Sequence, residues 1–374
     1  MRNQWSSFSF FLLVASKALA EDGISEKTIL LGQTIGVTGT IAGPVKEMTE
    51  GANAYFELIN SQGGIFGRKI DLRILDDKFD PKLTASNAES LIKKQRVFAM
   101  FQTRGTPHTQ AVLALLKENQ IPLIAPGTGA TLFHQPINPL LFNVRAKYQT
   151  EVEKAIEHLS TTGVKEIGVL YVDDSFGLDG LEGFNNAMTA RSLKPVTVTK
   201  FDRVKPDYQA TADAVIKANP KALLIISSSK NTIEAIKAIR AKGSQMQLVT
   251  LSNNSSQSFI KELGPAGAGV IVCQITPAPN LSTTELGKEF KTAAKASGAT
   301  VSYAGMEGFI AAKVLVEGLR RTGRNLTRER FIDALESMKK VDLGGLMINY
   351  NNKTHSGSEF VELTMIGKNG NFIR

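Results

Sequence analysis

The sequence predicts an α/β fold of two doubly wound lobes, each built on a parallel sheet. Apolar strand-like runs alternate with amphipathic helical runs from Thr28 to Gln274, the order that a parallel sheet covered on both faces requires. The alternation runs once up to Phe142-Asn143-Val144-Arg145 and then begins again. At 374 residues the chain is also too long for one comfortable core, so two domains are expected.

The opening strand is Thr28 to Ile35, left through Gly36-Val37-Thr38-Gly39-Thr40. A helix follows with Met48, Ala52, Tyr55, Phe56 and Ile59 on one face, and Gly63-Gly64 ends it. The glycines after Gly36 fall at 39 and 43, without the dinucleotide fingerprint, which disfavours a nicotinamide enzyme. Ile70 to Leu75 is the next strand. Asp76, Asp77 and Asp80 crowd its exit, and Asp80-Pro81 opens a helix in cap-then-proline order. Their spacing lacks the calcium loop and its distal Glu, so they read as a solvated cap.

Phe98 to Leu132 holds the most informative βαβ unit: a strand at Val97–Phe101, a helix at Pro107–Asn119 and a strand at Ile121–Ala125. Thr106 stands at the helix N-cap position with Pro107 first in the helix, an arrangement that offers a hydroxyl and amides to an anion. Gly127-Thr128-Gly129 leaves the second strand without a Cβ at two of three positions, which lets a small ligand approach the backbone. Loops at the carboxyl ends of strands are where open α/β sheets bind ligands, although Gly-rich strand exits are common as plain turns without any ligand.

In the second half, strands are expected at Ile167–Val172, Val196–Phe201, Ala222–Ser227, Leu248–Leu251 and Val270–Gln274. Thr276-Pro277-Ala278-Pro279 reads as a linker. Helices near 283–297, 303–322 and 327–339 and strands near Met347–Tyr350 and Phe360–Ile366 finish the chain. Such a tail suggests that the chain recrosses to the first lobe and then back.

Arg2, the apolar run Phe8 to Ala15 and Ala18-Leu19-Ala20 read as an export signal at residues 1–20, cut after Ala20. No cysteine stands at the cleavage site for a lipid, so the expected location is the periplasm, with a soluble mature chain. Removing Arg2 and Lys17 lowers the net charge from +9 to +7. The excess is dispersed, with no stripe interleaved with aromatics, which argues against nucleic acid. Cys273, the single cysteine, sits in an apolar run and reads as a buried strand thiol. Four histidines, at 108, 134, 158 and 355, show no zinc spacing, and His108 and His158 read as surface or cap residues. No metal or cofactor is expected.

Several phrases in order then resemble one family: Asn60-x-x-Gly63-Gly64-Ile65-x-Gly67-Arg68-Lys69-Ile70, Asp76-Asp77, Asp80-Pro81, Gly105-Thr106, Pro126-x-x-Gly129-Ala130 and Asp174-x-Phe176-Gly177. From about Ile24 onward the chain looks like the periplasmic solute-binding proteins of the branched-chain amino acid type, which feed ABC importers. The resemblance implies the type I periplasmic binding fold: lobes at 24–145 plus 276–354 and at 146–275 plus 355–374, three crossovers, and hinge closure on a ligand in the cleft. It implies no enzyme activity, a monomer, and a permease and ATPase as partners.

By the same resemblance Thr106, Gly127, Thr128 and Gly129 hold a ligand carboxylate, Phe176 closes over it, and Tyr148 and Tyr303 face the cleft. Ser252 stands where the relative has an acidic residue for the ligand ammonium, and Ser228 where it has a tyrosine. Either Asp173, Asp174 or Glu307 substitutes, or the ligand lacks the amine. Arg104 is a carboxylate clamp or an exposed loop arginine. The expected ligand is a small aliphatic amino acid, with a non-amino organic or aromatic acid as alternative, and a ligand-sensing regulator as a second one. A penicillin-binding reading rests on Ser227-Ser228-Ser229-Lys230, Ser252-Asn253-Asn254 and Lys353-Thr354-His355, but His355 replaces the final glycine.

Overall fold

The computed structural model describes residues 21–374; the export signal read in the sequence lies outside them. Strands β1 (Thr28–Ile35), β2 (Lys69–Asp76), β3 (Ala99–Phe101), β4 (Leu123–Ile124) and β5 (Leu141–Phe142) alternate with helices α1 (Ala42–Ser61), α2 (Pro81–Glu89) and α3 (Thr106–Asn119). The pattern resumes with α4 (Tyr148–Thr161), β6 (Ile167–Val172), α5 (Ser175–Ala190), β7 (Val198–Phe201) and α6 (Tyr208–Ala218). It continues through β8 (Ala222–Ile226), α7 (Ser229–Ala241), β9 (Gln247–Thr250), α8 (Gln257–Leu263) and β10 (Ile271–Gln274). The tail supplies α9 (Glu285–Ser297), α10 (Tyr303–Thr322), α11 (Arg328–Glu336), β11 (Val341–Asp342), β12 (Met347–Ile348), β13 (Glu362–Ile366) and β14 (Phe372–Ile373).

The first sheet has the order β2-β1-β3-β4-β5, all parallel. The second runs β14-β13-β10-β9-β8-β6-β7. Each lobe therefore reverses its strand order beside its first strand, at β1/β3 and at β6/β8, where such sheets open a crevice at their carboxyl ends. The second sheet is not wholly parallel, as its sequence pattern suggested. β13 arrives without a crossover helix and pairs antiparallel to β10, and the Gly367–Gly370 turn folds β14 back onto it.

The chain passes between the two sheets three times: from β5 to α4, from β10 to α9 and from β12 to β13. The returning α10 is seated on α1 by glycines. A Cβ on Gly51 would lie 1.9 Å from the Gly305 carbonyl oxygen, and one on Gly308 would lie 1.8 Å from that of Met48. Only hydrogen at these positions lets the two backbones approach so closely. Cys273 is buried in β10, as its apolar neighbours indicated.

Candidate functional site

Loops at the carboxyl ends of strands in both sheets face one another across a cleft holding about 370 Å³ of atom-free space. The first lobe contributes Ile41 after β1, Phe79 after β2, Arg104, Gly105 and Thr106 after β3, and Gly127 after β4. Facing them are Tyr148 at the start of α4, Phe176 after β6, Arg203 after β7, Ser228 and Ser229 after β8, and Asn253 after β9. Tyr148 and Phe176 form an aromatic corner with ring centroids 4.7 Å apart.

Several roles read from sequence change here. Gly105, not Thr106, is the N-cap of α3: its φ of 99° is a conformation that glycine alone adopts without strain. Thr106 is the first helical residue, and its hydroxyl is bonded to that of Thr128 at 2.8 Å. Thr128 is fully buried behind it, outside the cleft lining. The Gly127 N–H is spent on the Thr103 carbonyl at 2.6 Å, and its own carbonyl accepts from Gly105. A Cβ on Gly129 would lie 2.7 Å from the Ala146 carbonyl oxygen, so that glycine makes room for the first crossover and not for a ligand.

Ser252 is likewise turned inward. It donates from Oγ to Glu151 Oε1 at 3.0 Å and from its amide to Glu151 Oε2 at 2.8 Å. Glu151, on α4, thus brings a carboxylate to the position where sequence comparison found only a serine, but Arg145 Nη2 neutralises it at 2.6 Å. Arg145 also donates to Ser252 Oγ at 2.7 Å, and its Nη1 lies 3.4 Å from Glu307 Oε1. Burial alone would lower the Arg145 pKa, but Tyr148, Glu307 and Glu151 more than offset it and the net shift is upward.

Glu307 lines a second, tight pocket at the hinge, with Gln102, Arg145 and Thr276. Its other oxygen approaches Arg104 at 3.9 Å. Arg104 is only 6% exposed and donates to the Asn253 carbonyl of the opposite lobe at 3.1 Å, so it is no exposed loop arginine. Asp174 caps α5 through the amides of Phe176 and Gly177 and is ion-paired with Arg203. Asp173 pairs with Lys200 at the surface. Tyr303 leaves the site altogether. Its ring packs edge-on against Phe372, and its hydroxyl reaches Glu362 at 3.4 Å.

Arg203 was not singled out by its sequence context, nor were Ile41, Phe79, Ser229 and Asn253 as cleft residues. The Arg203 guanidinium lies 5.2 Å from the Phe79 ring centroid of the other lobe. Its Nη1 is buried and has no hydrogen-bond partner among the described residues. A loop arginine placed just after a strand end is the signal that could have found it.

His108 is fully buried, not a surface residue, and stacks on Phe79 with ring centroids 4.1 Å apart. Burial pushes its pKa down to about 4, so the folded state holds it neutral. An unfolded chain takes up that proton first, so stability is lost as pH falls from the ordinary histidine value towards 4. His108→Leu should therefore lose less melting temperature between pH 7 and 4 than the wild type. Parallel slopes in a thermal-denaturation pH series would show that His108 does not carry this loss.

The three segments behind the penicillin-binding reading do not assemble. Ser228, Ser229 and Asn253 line the cleft, whereas His355 stacks on Phe142 and bonds to Glu336. Among the described residues no group of acids, histidines and cysteine could hold a metal ion, and no helix is long and apolar enough to cross a membrane.

Two hinged lobes with strand-end loops facing across a polar and aromatic cleft define a solute-binding protein. The chain belongs to the periplasmic binding protein family, whose model matches residues 28–371. It is 22% identical over 318 residues to the Leu/Ile/Val-binding protein homolog 3 of Brucella melitensis, covering 83% of this chain and 84% of that protein. A substrate-binding periplasmic protein of Ralstonia solanacearum superposes with a TM-score of 0.87 at 30% identity, over 92% of this chain and 99% of the other. A fatty acid ABC transporter substrate-binding protein of Thermomonospora curvata has the same fold, with a TM-score of 0.85 at 20% identity over 94% and 92% of the two chains. These relatives are binding proteins, not enzymes.

Proposed function

We propose that the chain is the periplasmic substrate-binding component of an ABC importer, and that its solute is a small carboxylic acid with an apolar or aromatic body and no ammonium group. The observation that carries this reading is the pairing of the acids around the cleft. Asp174 is committed to Arg203, Glu307 to Arg145 and Arg104, Glu151 to Arg145 and Ser252, and Asp173 to Lys200. A ligand ammonium would find no uncommitted carboxylate among them, and a buried charge without a partner is costly.

A ligand carboxylate has the opposite prospects. Arg203 Nη1 has no acceptor among the described residues, and Ser228 and Ser229 line the same cleft. Ile41, Phe79, Tyr148 and Phe176 supply the apolar walls. The Brucella relative is named for leucine, isoleucine and valine and the Thermomonospora one for a fatty acid, so both kinds of carboxylate have namesakes in this fold. In this reading the leader is removed after Ala20, the lobes divide at 24–145 plus 276–354 and 146–275 plus 355–374, and a monomer delivers the solute to a permease and its ATPase.

A thermal-shift comparison of L-leucine, 4-methylpentanoate and benzoate tests the ligand class, since whatever binds the folded state raises its melting temperature. One or both of the acids without an amine should stabilise the protein and leucine should not. Stabilisation by leucine alone would restore the amino acid reading.

A further inference from the structure

Helix α1 of the first lobe and α8 of the second meet beside the cleft, which Ile41, just ahead of α1, and Asn253, shortly before α8, both line. Glu47 joins them. Its side chain is buried, and its two carboxylate oxygens accept from the amides of Gln257 at 2.9 Å and Ser258 at 2.7 Å. These are the first two amides of α8, which have no acceptor within the helix. Ser256 caps α8 by accepting from the Phe259 amide, and Glu47 answers the two amides ahead of it from the other lobe. No lysine or arginine pairs with Glu47 among the described ion pairs, so the two amides of the other lobe are what answer its charge.

The contact is also tightly fitted. A Cβ on Gly43, in the first turn of α1, would lie 2.6 Å from Ser258 Oγ and 2.8 Å from Ser258 Cβ. None of Gly43, Glu47 and Ser258 lines the solute cleft. Separation of the lobes would hand both the carboxylate and the amides back to water, so the interaction exists only when the lobes are together.

We propose that Glu47 is a closure latch, whose carboxylate seated on the start of α8 biases the lobes toward the closed arrangement and sets solute affinity from outside the cleft. The inference rests on the two-lobed binding reading but not on which solute is bound. An apparent dissociation constant scales inversely with the fraction of protein in the binding-competent form, so weakening the latch weakens every ligand by the same factor. Glu47 is thus a positioning residue.

The test needs no ligand. Lys82→Cys in α2 and Lys205→Cys after β7 place spin labels on exposed positions of the two lips, beside the Phe79–Arg203 contact. Cys273 is buried, and burial raises its thiol pKa well above the ordinary value, so it stays unlabelled. Pulsed electron paramagnetic resonance on the ligand-free chain should show a short-distance population in the wild-type background. Glu47→Ala should reduce that population about tenfold or more relative to the open form, since charge-assisted bonds are the strong ones.

Gly43→Ala should act likewise by wedging α1 from α8, while its melting temperature stays level or rises because alanine favours the helix. That split between opening and stability is one that damage to the fold does not produce. Wild-type distances in either variant, or no short population in the wild type, would overturn the latch. Gly43→Ala decides alone if Glu47→Ala does not fold. A solute screen that finds no acid would leave this measurement untouched.

Discussion

Arg203→Met is expected to weaken solute binding by about 2–5 kcal/mol, the cost of truncating one partner of a buried, hydrogen-bonded charge pair. The guanidinium is held from two sides before any ligand enters. Asp174 pairs with it inside the second lobe, and the Phe79 ring of the first lobe faces it. Its remaining nitrogen, Nη1, is buried with no acceptor among the described residues, a state that an anionic ligand group would relieve.

Arg203→Lys should recover only part of the loss, because an ammonium keeps the charge but not the planar fork. The fold should survive both changes, since the Arg203 side chain keeps 20% of its exposure and Asp174 retains its helix-capping bonds. Titration calorimetry with the acid that gives the largest thermal shift reads the effect. An unaltered dissociation constant would remove Arg203 from the site.

The largest effect on stability is expected at Arg145. Arg145→Met should cost about 3–5 kcal/mol, because it strands the fully buried Glu151 without its cation. Ser252 would still donate two hydrogen bonds to that carboxylate, which is why the loss stays within this range. Adding Glu151→Leu should recover much of it, since replacing both members of a buried pair by apolar groups is often close to neutral. Arg104 keeps a hold on Glu307 in either variant. Urea denaturation of the two variants decides the matter: a double variant less stable than the single one would mean that the pair contributes more than mutual neutralisation.

The periodic alternation of apolar runs made the fold legible, the strand-end rule directed attention to Thr106 and Gly127, and the family resemblance added Tyr148, Phe176 and Ser228, all in the cleft lining. Hidden from sequence was what each group is paired with. Arg203 stands between Asp202 and Lys205 and looks solvated in sequence, whereas Asp174 of its own lobe and the Phe79 ring of the other leave it only partly exposed. Ser252 reads as an acid lost, because the compensating Glu151 comes from a helix in a different part of the chain. The glycines at 127 and 129 do signal close approach, but of the chain to itself. Tyr303 begins the helix expected for it, yet the β13–β14 hairpin covers its ring, which no local pattern encodes.

The most direct test is a crystal structure of the chain with its tightest-binding acid. The ligand body should lie against Phe79, Tyr148 and Phe176, with its carboxylate within hydrogen-bond distance of Arg203 Nη1. A ligand outside the gap between the lobes, or one whose ammonium sits on a carboxylate released from its arginine, would contradict the account.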